Sequence, residues 1–204
     1  MSEAADSKCS LLGGSFSLQV QAFLAITCVA TLAVKRMNEY PQRDWSIWSL
    51  DVSKQGFGSA IGHSSNLFIA TLLSASKSAD ECEFYCVCYL TDVTIGTVLN
   101  VSLLSLTERV LLANTPLQSM FKFGDYGDPP SIATWLIQLI IWLAIIIITK
   151  LLLVVFLIFS FDYLNAAISF AFSFLVIYPK IELIVVMIMI PFVFNILAFW
   201  ITDR

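Results

Sequence analysis

The 204 residues carry a formal charge of −4, with 58% apolar and 13% charged residues and a strongly positive mean hydropathy. A soluble domain carries about a quarter charged residues, so the excess apolar surface needs the bilayer as its solvent. The small, dispersed charge leaves no basic stripe of the kind that marks nucleic-acid binding.

About 20 apolar residues cross a hydrocarbon core, which leaves room for five or six spans and little for a soluble domain. The composition therefore predicts an all-α fold, a multi-pass transmembrane helical bundle. Residues 1–14 form a short polar N-terminus and residues 15–204 a single membrane domain. The N-terminal stretch has one basic residue, Lys8, and no small-residue cleavage pattern follows the first apolar run. This predicts a retained anchor rather than a cleaved leader.

The first span reads Ser15 to Val34 and is closed by Lys35 and Arg36. A polar connection follows with Pro41, Arg43, Asp44 and the pair Trp45 and Trp48, residues suited to the headgroup level. The second span, Leu50 to Leu73, is a poor membrane helix taken alone. It holds Asp51, Lys54, Gln55, His63 and Asn66 beside three glycines. Gly58 and Gly62 form a small-xxx-small pair that admits a neighbouring helix, so this span is expected to face protein.

An acidic connection at Asp80, Glu81 and Glu83 leads to the third span, Phe84 to Leu106, with Asp92 and Asn100 inside it. A polar stretch then contains Phe123-Gly124-Asp125-Tyr126-Gly127-Asp128-Pro129-Pro130, whose glycines and double proline predict ordered turns. The fourth span, Ser131 to Phe159, is interrupted only by Lys150 and is longer than the bilayer core requires. Residues 161–178 are expected to form an interfacial or re-entrant segment. The last of five spans runs from Ile181 to Ile201 and contains Pro191 and Asn195.

Five spans place Lys35, Arg36, Arg43, Lys54, Arg109, Lys122 and Arg204 on one side and Lys8, Lys77 and Lys180 on the other. The positive-inside rule makes the first side cytosolic, with the N-terminus lumenal and the C-terminus cytosolic. Cys9 and Cys82 then share the oxidising side and are candidates for a disulfide. Cys28, Cys86 and Cys88 read as buried small hydrophobes. The cysteine spacing lacks the paired geometry of a zinc site, and a single histidine gives no help; no metal or cofactor is expected.

His63, Asn66, Asp92 and Lys150 remain as polar groups inside apolar runs. Helix arithmetic puts all four in the lumenal half of the membrane, where an Asp92–Lys150 pair can form with His63 and Asn66 nearby. Two readings stay open: an internal tie between three helices, or a polar cavity for an ion, proton or lipid headgroup. No paired aspartates, Ser–His dyad or HExxH motif stands at plausible depth, so no enzyme is expected.

The run Trp45-Ser46-Ile47-Trp48-Ser49-Leu50-Asp51-Val52-Ser53-Lys54-Gln55, with Gly58, His63 and Asn66 after it, resembles the STIMATE family of endoplasmic-reticulum membrane proteins. Thr91-Asp92-Val93-Thr94-Ile95-Gly96 resembles it too, as does the Phe123–Pro129 segment with Trp135 and Lys150 following. Pro191-Phe192, Asn195, Phe199-Trp200 and Asp203 match in the same order. The resemblance implies a non-catalytic regulator of store-operated calcium entry, placed at junctions with the plasma membrane and partnered by a calcium sensor of the STIM type. The family also has a fungal branch of vacuolar membrane proteins. Its members carry a charged cytosolic tail that can bridge to anionic lipid, whereas this sequence stops at Arg204. A second expectation is therefore an accessory subunit of a larger contact-site assembly, such as one built on a large lipid-transfer protein.

Overall fold

The computed structural model describes residues 11, 14–77, 81–114, 121–173 and 178–202. Among these every regular element is helical. Helix α1 spans Gly14–Met37, α2 Trp45–Lys77, α3 Glu81–Thr91, α4 Thr97–Asn114, α5 Ile132–Phe172, α6 Pro179–Ile184 and α7 Ile190–Thr202. One π-turn, Asp92–Gly96, joins α3 to α4, and another, Val185–Met189, joins α6 to α7. The chain thus makes five long helical passes.

Four of these passes are long and apolar enough to cross a membrane: Leu18–Met37, Glu81–Ala113, Ile132–Ala171 and Ile181–Ala198. The α2 pass is longer than the first and last of them, but its polar residues lower its hydropathy. Hydroxyls in α1 and α2 are satisfied within the helix: Thr27, Thr31, Ser53, Ser65 and Thr71 each bond to a carbonyl one turn back. Such back-bonding lets a polar side chain face hydrocarbon cheaply.

The third pass forms the hub. Tyr85, Cys86, Val87 and Cys88 are buried on successive faces of α3, which requires neighbours all round. These include Val20 of α1, Ala70 of α2, Leu157 and Phe161 of α5, and Leu183, Val186 and Met187 of the last pass. Cys86 and Cys88 are free thiols in that core. Cys82 is disulfide-bonded; Cys9, its expected partner, lies outside the described residues, as does most of the polar stretch 1–14. Leu11 is described, and its N–H donates to Glu81 Oε2 at 2.9 Å.

Two expectations require correction. Residues 161–172 are not a separate interfacial or re-entrant segment; they are the last turns of the 41-residue α5. No glycine or proline occurs between Ile132 and Phe172 to stop the helix, and Asp162 and Asn165 are weak breakers. Phe161 stacks on Phe84 at 4.6 Å, and Ser169 Oγ donates to Glu83 Oε2 at 2.7 Å. These contacts hold the extension against the start of α3. Residues 174–177 lie outside the described set.

Second, Trp45 and Trp48 do not lie in the polar connection before the second span but on the same helix as Asp51 and Lys54. They occupy the first three turns of α2, which begins just past Pro41, with Trp48 N–H bonded to Asp44 O at 2.9 Å. The two indoles pack edge to face at 5.3 Å, and the Arg36 guanidinium sits 3.7 Å over the Trp45 ring.

Candidate functional site

Helices α2 and α5 run parallel in fixed register. Lys54 bonds Gln138 and Asn66 bonds Lys150, each pair 84 residues apart. Between these contacts a Cβ on Gly58 would come within 2.7 Å of Trp142 Nε1 and of Ile146 Cδ1. Lys54, Gly58, Gly62 and Asn66 follow at intervals of four, the spacing of one ridge on a helix surface. The glycines bring the backbones close, and the polar residues at either end form two centres. Twelve residues separate them along each helix, about 18 Å.

The inner centre is a closed triangle. Lys150 Nζ lies 2.8 Å from Asp92 Oδ2 and donates to Asn66 Oδ1 at 2.8 Å. Asn66 Nδ2 completes the ring to Asp92 Oδ2 at 3.3 Å. Asp92 opens the π-turn, where Thr97 N–H reaches back to Asp92 O. Gly96 at its end leaves only 3.0 Å between a hypothetical Cβ and Leu153 Cδ1, so α5 approaches closely there. A π-turn interrupting an α-helix is often found at functional sites. The cation and anion cancel, and the cluster is neutral as a whole.

His63 stands beside the triangle without bonding to it. Its Nδ1 is 3.0 Å from Tyr85 Oη, the two rings meeting edge to face. Tyr89, one turn further along α3, donates to Asn195 Oδ1 at 3.0 Å. Asn195 Nδ2 in turn reaches Cys28 Sγ at 3.5 Å. This relay ties α1, α3 and α7 together. The π-turn at Val185–Met189 sits just before Pro191, which has no N–H for a regular helical bond. Ile190 N–H bonds Val185 O instead.

The outer centre is built on Gln138, which is fully buried. Its Oε1 accepts from Lys54 Nζ at 3.0 Å and from Gly124 N–H at 3.2 Å. Its Nε2 donates to the carbonyls of Lys122 and Asp125, both at 3.0 Å. Tyr126 is 2% exposed, and its hydroxyl donates to Asp51 Oδ1. Asp51 also pairs with Arg43 at 3.0 Å and Lys54 at 3.5 Å. The Lys54 ammonium lies 4.8 Å from the Tyr126 ring and 5.6 Å from that of Phe123. Trp135 Nε1 donates to Leu50 O at 3.0 Å. The turn segment is thereby sealed onto the first turns of α2 and α5.

Gly124 and Gly127 adopt φ of 86° and 81°, the left-handed conformation that glycine takes without a Cβ penalty. Asp125 Oδ1 accepts from Gly127 N–H at 3.1 Å, an Asx-type bond that shapes the turn. Asp128 is exposed and Pro129 follows it through a cis peptide bond. Gln138, Tyr85 and Gly96 were not singled out as site residues. Gln138 had a signal: it is the one amide in the strongly apolar run 132–149, where an unpartnered polar group is costly.

The sequence pattern of the STIMATE family matches residues 82–204, more than half of the chain. This chain belongs to the STIMATE family. Like that family it is a multi-pass membrane protein, and its apolar helices imply the lipid bilayer as surroundings. The family match contains Asp92, the Phe123–Pro129 turns, Gln138 and Lys150; Trp45–Asn66 lies upstream of it. A curated relative is the vacuolar membrane protein YPL162C of Saccharomyces cerevisiae, 36% identical over 114 residues. That match covers 50% of this chain and 41% of the yeast protein, so the chain spans less than half of the relative's length. No solved structure matches.

Proposed function

We propose that this STIMATE-family chain is a five-pass, non-catalytic regulator of store-operated calcium entry in the endoplasmic-reticulum membrane. It acts by holding a partner protein, a calcium sensor of the STIM type, at junctions with the plasma membrane. In this reading α2 is the fifth crossing. Its Asp51, Lys54 and Asn66 side chains are turned onto the Phe123–Pro129 turns, α5 and Asp92, so they do not meet lipid. Polar groups inside a bilayer are tolerated where they face protein and find partners.

The observation that supports a binding role is the outer centre. Five helical passes place Arg43, Asp51, Lys54, Tyr126 and Gln138 at one end of the bundle, the end the basic residues mark as cytosolic. There the turn segment is rigid, ordered by buried hydrogen bonds, and flanked by exposed Trp45 and Tyr40. A fixed loop beside exposed aromatics suits recognition of another protein. A binding face that must keep its shape gives a reason to bury Gln138 and Tyr126 under a surface loop.

A second reading, an accessory subunit of a larger contact-site or lipid-transfer assembly, is favoured by the cavity described below. Purification of the full chain in mild detergent, with identification of co-purifying proteins, separates the two. Recovery of a calcium sensor, lost when Trp45 and Tyr40 are changed to Ala, supports the regulator. A large lipid-transfer protein supports the second reading, and a chain that purifies alone overturns both. Imaging of the tagged chain tests the location, since the yeast relative is a vacuolar membrane protein.

A further inference from the structure

A cavity of about 630 Å³ runs between α1 and α2 and reaches inward to α3, α4, α5 and α7. Its walls on α1 are mostly apolar, with Leu24, Val29 and Leu32 beside Gln21 and Cys28; its inner end is the Asn66–Asp92–Lys150 triangle with His63. Along α2 it extends from Val52 to Asn66, about 21 Å. A volume of that order holds one drug-sized body, such as a fused-ring system or one acyl chain, rather than a whole two-chain phospholipid.

The mouth is rimmed by small residues. Ala22 and Ala25 of α1 face Gly56, Ser59 and Ala60 of α2, and all five are exposed. A Cβ on Gly56 would meet nothing within 4 Å. With α2 as the fifth crossing proposed above, on which this step rests, the mouth opens between two membrane helices along their length and faces hydrocarbon rather than water. An occupant must therefore come sideways from the bilayer.

Two polar groups inside the cavity are unspent. The side-chain oxygens of Gln55 and Asn100 are buried and have no hydrogen-bond partner among the described residues. Gln55 lies eleven residues before Asn66, about 16 Å, and Asn100 eight residues past Asp92, about 12 Å. Because α2 and the third pass run in opposite directions, both displacements point to the same end, away from the triangle. A buried amide oxygen left without a partner is costly, and a turn of either side chain toward the cavity would let a bound ligand's donor meet it.

The chemistry of that ligand follows. The Lys150–Asp92 pair is self-neutralised, so nothing in the cavity balances a phosphate. A hydroxyl both donates and accepts, and so satisfies a side-chain amide in either orientation. We infer that this cavity is a lateral binding site for a neutral, single-tailed membrane lipid bearing a hydroxyl, such as a sterol or a monoacylglycerol. The hydroxyl binds at Gln55 and Asn100, and the apolar body lies along Leu24, Val29 and Leu32. This goes beyond the partner-binding role, because the site needs no second protein.

The test reconstitutes the full chain in phosphatidylcholine vesicles carrying a photoreactive sterol, a photoreactive monoacylglycerol or a photoreactive phosphatidylcholine in separate preparations. Crosslinked peptides are mapped after illumination. The sterol, the monoacylglycerol or both should label the facing stretches of α1 and α2, the stronger label naming the source. Gly56→Leu fills the open mouth. Gln55→Leu with Asn100→Leu removes the two amides while keeping helix-forming residues. The Gln55→Leu/Asn100→Leu variant should reduce labelling about tenfold, the effect of losing one to two hydrogen bonds, and Gly56→Leu should reduce it by blocking entry. Labelling unchanged in the folded Gln55→Leu/Asn100→Leu variant overturns the inference. So does equal labelling of the portal by phosphatidylcholine, or labelling spread over the outer face of α5 at Ile140, Leu151 and Ile158. None of these outcomes depends on whether a sensor protein co-purifies.

Discussion

Asn66 and Lys150 are joined at 2.8 Å across 84 residues of sequence, the same interval that separates Lys54 from Gln138. A constant interval over twelve residues means that two parallel helices neither slip nor splay between these points. The register is therefore pinned twice by polar contacts, twelve residues apart on each helix. Between the pins, Gly58 and Gly62 remove side chains that would hold the helices apart. In hydrocarbon, apolar contact alone gives little reason for one register over another, because lipid tails are equally apolar.

The inner pin should behave as a coupled pair. Lys150→Ala leaves the Asp92 carboxylate beside Asn66 without its counter-charge, at a cost of about 3 kcal/mol. Adding Asp92→Ala removes that charge and should restore part of the loss. Unfolding in a detergent titration reads both variants. Equal stability of Lys150→Ala and the parent would show that the contact carries no weight.

The two glycines at 56 and 58 give a contrast within one helix turn. A Cβ at Gly58 would press on Trp142 and Ile146 at 2.7 Å, whereas one at Gly56 meets open space. Gly58→Ala should therefore lose about 1–3 kcal/mol through overpacking. Gly56→Ala should be neutral, or gain up to about 1 kcal/mol from helix propensity. Identical effects in the same detergent assay would place α5 elsewhere.

Gln138 should govern order in the turn segment. Gln138→Met keeps the volume but strips partners from Lys54 and from the carbonyls of Lys122 and Asp125. Local opening of residues 121–130 should become easier by about 1–3 kcal/mol, while the apolar body of α5 stays intact. Hydrogen exchange of the Gly124 and Ser131 amides is the measurement; protection unchanged from the parent would contradict it.

Much of this layout is legible in the amino-acid order because charges in an apolar run have few places to go. Asp92, Lys150, Asn66 and the glycine pair announce themselves by that cost, and the glycines of the Phe123–Pro130 segment announce its turns. Other features are less visible for physical reasons. Helix arithmetic brings His63 to the right depth but cannot show that it turns toward Tyr85, because depth along a helix does not fix which neighbour a side chain's rotamer reaches. Residues 161–172 look like a new element, since Asp162 and Asn165 break the apolar run. Only the contacts with Phe84 and Glu83 reveal that α5 continues. The π-turns leave no composition signal at all, apart from Gly96 and Pro191 at their edges.

The number of crossings is tested by two exposed positions. Tyr40 lies between α1 and α2 and Asp128 between α4 and α5. If α2 crosses the membrane, Tyr40 and Asp128 share a face; if it lies along the surface, they are on opposite faces. Tyr40→Cys, Asp128→Cys and Tyr178→Cys are introduced singly, and cells are opened at the plasma membrane alone before treatment with an impermeant maleimide. Of the free native thiols among the described residues, Cys86 and Cys88 are buried and Cys28 is half-buried within α1, so the parent chain sets the background. Tyr40→Cys and Asp128→Cys should react at once, and Tyr178→Cys only after the inner membrane is dissolved. The Arg43–Asp51 and Tyr126–Asp51 contacts require the first two to agree, since they tie both connections to one end of α2. Opposite reactivity at Tyr40→Cys and Asp128→Cys would remove α2 from the membrane and overturn the five-pass arrangement.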